Sequence, residues 1–156
     1  MIMKKILTLC IIYRHPEVLL GMKKRGFGQG RWNGFGGKLI EGEDIEETVK
    51  REVKEEVGLA VSDIEKVGII EYEFRGNPEI LEVHLFKTDK FIGEPKESEE
   101  MKPRWFGIKE IPFQEMWPSD RYWFPLLFGG KKFKGKFIHK DLDNILEYEL
   151  KETDLI

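Results

Sequence analysis

The chain has 156 residues and a mass of 18.4 kDa, the size of one ordinary domain, which buries about 68–70% of its unfolded surface without staples. Charged residues make up 35% of it, yet 26 basic against 29 acidic side chains leave a net charge of only −3, which excludes a bulk electrostatic drive toward nucleic acid or an anionic membrane. The single cysteine, Cys10, has no intrachain disulfide partner and points to a cytoplasmic protein. No apolar run approaches the ~18 residues of a membrane span.

Ile6 to Tyr13 and Val18 to Lys24 are β-rich runs separated by Arg14-His15-Pro16-Glu17, the pattern of a hairpin. Met3-Lys4-Lys5 before the first run imitates a signal peptide but lacks a small-residue cleavage site, so the run is read as a strand. Six glycines between Gly26 and Gly37 mark backbone that turns sharply or approaches something closely. Asp44 to Val57 reads as a helix: Ile45, Val49, Val53 and Val57 form an i, i+4 stripe, Asp44, Glu46 and Glu47 suit its positive end, and Gly58 stops it. Three or four strands follow, with Tyr72 and Phe74 on one face of the first and Leu81, Val83 and Leu85 on one face of the second, joined by the turn Arg75-Gly76-Asn77-Pro78.

Phe91 to Lys102 reads as a polar loop carrying Glu97, Glu99 and Glu100, and Trp105-Phe106 as a short strand. Ser119 to Phe128 predicts a short helix capped by Ser119 after Pro118. Lys134 to His139 and Ile145 to Lys151 predict a closing hairpin around Lys140-Asp141-Leu142-Asp143-Asn144. No repeat or internal boundary divides residues 1–156. A single α+β domain is expected, a mixed β-sheet covered by helices.

The helix carries the chemistry. Glu52 and Glu56 fall beside its apolar stripe, and Glu55 shares their side. Two carboxylates at i, i+4 repel by roughly 3 kcal/mol at an effective dielectric of ~20, and acids in the last turn also face the negative dipole end. Either the face is solvated, as for Glu46, Lys50 and Lys54, or a divalent cation with hard oxygen ligands relieves it. From the helix alone both readings stand.

The wider pattern decides between them. Gly37, five residues, Glu43, seven residues, then Arg51-Glu52-Val53-Lys54-Glu55-Glu56-Val57-Gly58-Leu59 is similar at every defined position to the signature box of the Nudix hydrolases. The resemblance implies the Nudix fold, a mixed sheet sandwiched between helices, and cleavage of nucleoside diphosphates linked to another group with Mg2+ or Mn2+. It implies a metal held by Glu52, Glu55, Glu56 and the Gly36 carbonyl, with Glu100 as a further ligand. Glu56 would be the base toward water, and Arg51 would hold a glutamate inward.

Segments outside the box extend the resemblance. Met22 to Gly28, Gly30 to Lys38, Met116-Trp117-Pro118 and Tyr122 to Leu127 resemble the branch of the family that sanitises the nucleotide pool in animals by hydrolysing oxidised purine nucleoside triphosphates such as 8-oxo-dGTP to monophosphate and pyrophosphate. This likeness implies Trp117 stacked on the purine, with Phe27, Phe74, Met101 and Trp123 lining the pocket. It implies Asn33 and Asp120 reading the base edge, Thr8 and Lys23 at the floor or sugar–phosphate side, and Phe35, Gly36, Gly37 and Lys38 bordering the nucleotide. Pro118 and Ser119 complete the segment around Trp117.

Three positions depart from that branch, which has two adjacent acids where Ser119-Asp120 stand, Phe in place of Tyr72 and Met in place of Leu81. Without a second acid beside it, Asp120 is expected to be more often ionised near neutral pH, favouring a donor-rich base edge over 2-oxo-dATP. The resemblance further implies a monomer acting on a small-molecule nucleotide, with no nucleic-acid or membrane partner. Another Nudix substrate, such as a dinucleoside polyphosphate or ADP-ribose, and a catalytically inactive nucleotide sensor are the competing readings.

Overall fold

The computed structural model describes residues 3–156. Strands β1 (Met3–Arg14), β2 (Glu17–Lys23) and β3 (Trp32–Asn33) come first, then helix α1 (Ile45–Val57). They are followed by β4 (Ala60–Ser62), β5 (Glu65–Phe74), β6 (Glu79–Thr88), β7 (Lys90–Ile92) and β8 (Met101–Gly107). Helix α2 (Asp120–Phe128) and the hairpin β9 (Phe133–His139) and β10 (Ile145–Glu152) close the chain. The main sheet has the order β10-β9-β5-β6-β1-β2-β3, with β8 also paired to β2, and β4 and β7 form a separate two-stranded sheet. The β1–β6 and β5–β9 pairs are parallel and the others antiparallel, so the sheet is mixed.

Strand alternation assigns the two faces. Cys10, Ile12 and Phe86 pack with Val49, Val53 and Val57 of α1 on one side. Ile11, Ile70 and Leu85 pack with Trp123, Phe124 and Leu127 of α2 on the other. Each such buried side chain contributes about 1.5–3 kcal/mol. Asp44 caps α1 in a reciprocal box with Glu47, and Gly58 ends it at φ 76°, a left-handed conformation that costs a Cβ-bearing residue.

Two local expectations are corrected. The polar loop from Phe91 to Lys102 contains the end of β7 and the start of β8, and the strand expected at Trp105-Phe106 extends over Met101–Gly107. Pairing with β2 along its whole length supplies β8 with partners that its polar sequence does not advertise. Ser119 sits at the start of α2 but its hydroxyl makes no capping bond. It turns instead to the Tyr72 hydroxyl, 2.9 Å away. The two named helices lie on opposite faces of the sheet, and no helix among the described residues is long and apolar enough to cross a membrane.

Candidate active site

The face of β1, β5 and β6 that α2 covers at Ile11, Ile70 and Leu85 continues beyond the helix as the floor of a cavity of about 250 Å3. Leu7, Leu9, Leu81 and Val83 form that floor. Tyr72, Phe74, Trp117, Phe27 and Met101 stand around it, Asp120 and Asn33 supply polar groups, and Thr8, Lys23, Gly36, Gly37 and Glu56 lie in the same wall. One cavity therefore joins the aromatic segment near α2 to the glycine loop beside α1.

The glycine loop is pressed onto β1. Cys10 and Phe35 exchange backbone hydrogen bonds, and the Thr8 amide donates to the Gly37 carbonyl at 2.8 Å. A Cβ on Gly36 would lie 1.8 Å from the Thr8 carbonyl oxygen, and one on Gly37 would lie 2.5 Å from the Glu52 carboxylate carbon. Only glycine permits both approaches. The Gly36 N–H, brought over α1 in this way, donates to Glu56 Oε1 at 2.8 Å.

The carboxylates differ in surroundings. Glu56 is 5% exposed, and burial pushes its carboxyl up to about 8 against the opposing pull of the Gly36 amide. Arg51 reaches Glu52 at 2.8 Å and Glu55 at 3.4 Å, but its fullest partner is Glu43, gripped at 2.8 and 3.1 Å. The Arg51 and Thr48 hydrogen bonds hold Glu43 down at about 2. Arg51 thus braces the helix to the preceding loop as well as orienting Glu52. Glu100 accepts from Arg25 at 2.7 Å, lies 3.5 Å from Lys23, and is held below the usual carboxylate range chiefly by Arg25. Among the described residues no three His, Cys, Asp or Glu side chains converge into a ready-made cation site. These oxygens are nonetheless of the hard type that divalent cations take, and the glycine cradle leaves the Glu52 carboxylate its room.

At the other end, Trp117 is in contact with Phe27 at 5.0 Å between ring centroids and meets Phe74 edge-on at 6.3 Å. Phe27, which lines the cavity, is 60% exposed. Asp120 is 2% exposed, and its Oδ2 has no hydrogen-bond partner among the described residues. Burial pushes its carboxyl up to about 7, against weaker opposing pulls from Ser119 and Trp123. Burial by itself therefore raises the affinity of Asp120 for a proton, with no acid beside it to add a further upward push. Asn33 spends its Oδ1 on the Gly34 amide at 2.8 Å, which leaves its NH2 as the group to offer a ligand.

Several residues of the sequence-derived set lie elsewhere. Trp123 is fully buried in the core under α2 and Phe35 in the core under α1, and neither forms part of the cavity wall. Lys38 is exposed beyond the glycine loop, Pro118 lies outside the wall, and Ser119 is buried behind it. Residues absent from that set also shape the site. Leu7, Leu9, Gly28, Gly34 and Val83 line it, and the strand alternation that placed Leu81 would have found Val83. His139, on β9, lies 4.9 Å from Phe74 between ring centroids. Nothing local in the sequence signals that contact.

The NUDIX domain model matches residues 3–127. The chain belongs to the Nudix family. This Nudix chain is 55% identical over 150 residues to the oxidized purine nucleoside triphosphate hydrolase of Mus musculus, covering 96% of each. It is 49% identical over 154 residues to the protein of the same name from Danio rerio, covering 99% of each. Its Nudix fold superposes on a MutT protein from Bacillus halodurans with a TM-score of 0.84 at 32% identity, covering 94% of this chain and 97% of that one. Nudix hydrolases generally need a divalent metal.

Proposed function

We propose that this Nudix hydrolase cleaves oxidised purine nucleoside triphosphates, 8-oxo-dGTP among them, to monophosphate and pyrophosphate with Mg2+. The observation that carries the reading is the continuous cavity, with Trp117 and Asp120 at one end and Gly36, Gly37 and Glu56 at the other. A nucleotide has the same polarity: a flat base, then a sugar, then charged phosphates. The two full-length relatives named for this activity support the substrate class.

Glu52, Glu55 and Glu56, with the Gly36 carbonyl and Glu100, would hold the cation. Bound there, it supplies neutralisation of phosphate charge and an easier ionisation of water. The chain's own groups do the rest. Arg51 fixes the Glu52 carboxylate, and the Gly36 amide fixes that of Glu56, which is placed to accept a proton from the attacking water. Trp117 stacks on the purine, worth ~1–3 kcal/mol whatever its oxidation state. Asp120 Oδ2 and the Asn33 NH2 face the base edge and select it, while Lys23 serves the sugar–phosphate side. Leu81 and Tyr72 shape the wall where the related branch has Met and Phe.

We place the enzyme in the cytoplasm as a monomer acting on free nucleotides; its net charge of −3 gives no bulk attraction to a polyanion. The test is turnover of 8-oxo-dGTP against dGTP with Mg2+ and with Mn2+, with products identified. The reading is supported by preference for the oxidised base and by release of pyrophosphate. Preference for a dinucleoside polyphosphate or ADP-ribose overturns it. Trp117→Ala should then weaken oxidised and normal purines by similar factors.

A further inference from the structure

Arg31 lies outside the cavity wall and is not adjacent in sequence to any residue of the acidic helix. Its guanidinium nevertheless ties its own loop to two distant segments. Nη1 donates to the Met116 carbonyl at 3.0 Å, and Nη2 donates to the Leu142 carbonyl at 3.0 Å and to Asp143 Oδ1 at 2.5 Å. The same group lies over the Trp117 ring, 4.4 Å from its centroid. The Asp143 side chain is 80% exposed, so that ion pair is screened and adds little. The two carbonyl bonds and the ring contact carry the junction.

The segment at the far end is already ordered. Between β9 and β10, Asp141 Oδ1 accepts from the amides of Asp143 and Asn144 and from the Asn144 side chain, each at 2.9 Å. His139 Nδ1 meets the Asp141 carbonyl at 3.1 Å, which fixes the ring proton on Nδ1 because a carbonyl can only accept. The His139 ring in turn sits edge-on to Trp117 at 6.3 Å. The turn therefore touches the indole through His139 and grips it through Arg31.

We propose that Arg31 is a positioning residue for base recognition, bracing Trp117 against the β9–β10 turn and making that turn a remote part of the nucleotide pocket. The inference rests on the reading of Trp117 as the stacking platform. An indole held in one plane before the base arrives does not have to be ordered on binding. Arginine suits the task because its planar fork stacks on a ring face and bonds carbonyls at its edge at once, which the compact lysine ammonium cannot do.

The experiment measures KM and kcat for 8-oxo-dGTP, together with hydrogen exchange at the amides of Asp120, Asp143 and Asn144. Arg31→Met should raise KM about 3- to 30-fold, with kcat within about twofold because the carboxylates are untouched. Arg31→Lys should recover only part of the loss. Asp141→Ala, which loosens the turn far from any substrate atom, should raise KM in the same direction. In a Trp117→Leu background, Arg31→Met should change KM by less than about twofold, since the contact it serves is gone.

An equal KM increase in both backgrounds overturns the proposal, as does a folded Arg31→Met protein with unchanged KM. If Arg31→Met does not fold, Arg31→Lys and Asp141→Ala are carried through the same cycle, and the same two results overturn the proposal. Exchange separates this inference from the substrate assignment. Faster exchange at Asp120 and Asp143 in Arg31→Lys supports the brace even if 8-oxo-dGTP proves a poor substrate, and unchanged exchange overturns it even if 8-oxo-dGTP proves a good one.

Discussion

The hydroxyls of Tyr72 and Ser119 meet at 2.9 Å, one in the cavity wall and the other fully buried behind it. Ser119 Oγ is also 3.4 Å from Asp120 Oδ1, so the two hydroxyls and the carboxyl form a short chain. Removing either hydroxyl leaves the other short of a partner in a dry place, at a cost of ~1–3 kcal/mol. Tyr72→Phe and Ser119→Ala should each lower stability by about that amount, and the double variant by less than their sum. Urea denaturation of the four proteins measures this, and strict additivity would break the link.

Asp120 makes stability depend on pH. Its folded pKa of about 7 lies above the ordinary value of 3.8. The stability that its neutral form contributes is full below the unfolded value and is lost as pH rises through about 7. Asp120→Asn stays neutral throughout, so its Tm relative to wild type should climb between about pH 4 and about pH 7 and level off above. A pH-independent difference would mean that Asp120 is not buried as described. The same titration should tilt the ratio of kcat/KM for 8-oxo-dGTP and 2-oxo-dATP, because a protonated Asp120 donates where an ionised one accepts.

Glu56→Gln removes the proton acceptor and one unit of charge from the acidic helix. Turnover should fall by at least ~10²-fold. Nucleotide affinity should hold, because the aromatic wall is at the other end of the cavity. Steady-state kinetics alongside calorimetric titration with 8-oxo-dGTP separates the two, and turnover like that of wild type would remove Glu56 from the chemistry.

Gly36 and Gly37 should respond differently to the same substitution. A Cβ on Gly36 meets backbone at 1.8 Å, which cannot yield without moving β1. A Cβ on Gly37 meets the end of the Glu52 side chain, which can rotate away. Gly36→Ala should therefore cost ~2 kcal/mol or more, whereas Gly37→Ala should fold nearly normally and lose activity by displacing Glu52. Thermal melts and turnover of both variants decide it, and the reverse pattern would show that the loop is not tied to β1 as described.

Much of this is readable along the chain because it depends on short spacings. The i, i+4 valines and Asp44 define α1, and the same periodicity brings Glu52 and Glu56 to its buried edge. Alternation on β6 places Leu81 and Val83 on one side. The box from Gly37 to Leu59 carries the family, and the segments around Trp32 and Trp117 carry its branch. These features are local, and local geometry repeats wherever the backbone does.

What stays hidden depends on which distant segments meet. No spacing indicates that Ser119 abandons its cap for Tyr72, that Trp123 belongs to the core while Trp117 belongs to the cavity, or that Arg31 reaches Leu142 across 111 positions. The proton affinity of Asp120 is hidden for the same reason: its largest cause is desolvation by the folded wall, which no neighbour in sequence reveals. Residue types and their periodicity determined most of the elements, and the spacing of the box determined the family. Packing of sheet against helix decided which side chains are dry, which carboxyls hold protons and which ring is braced, because desolvation and hydrogen-bond partners exist only once the segments are in contact.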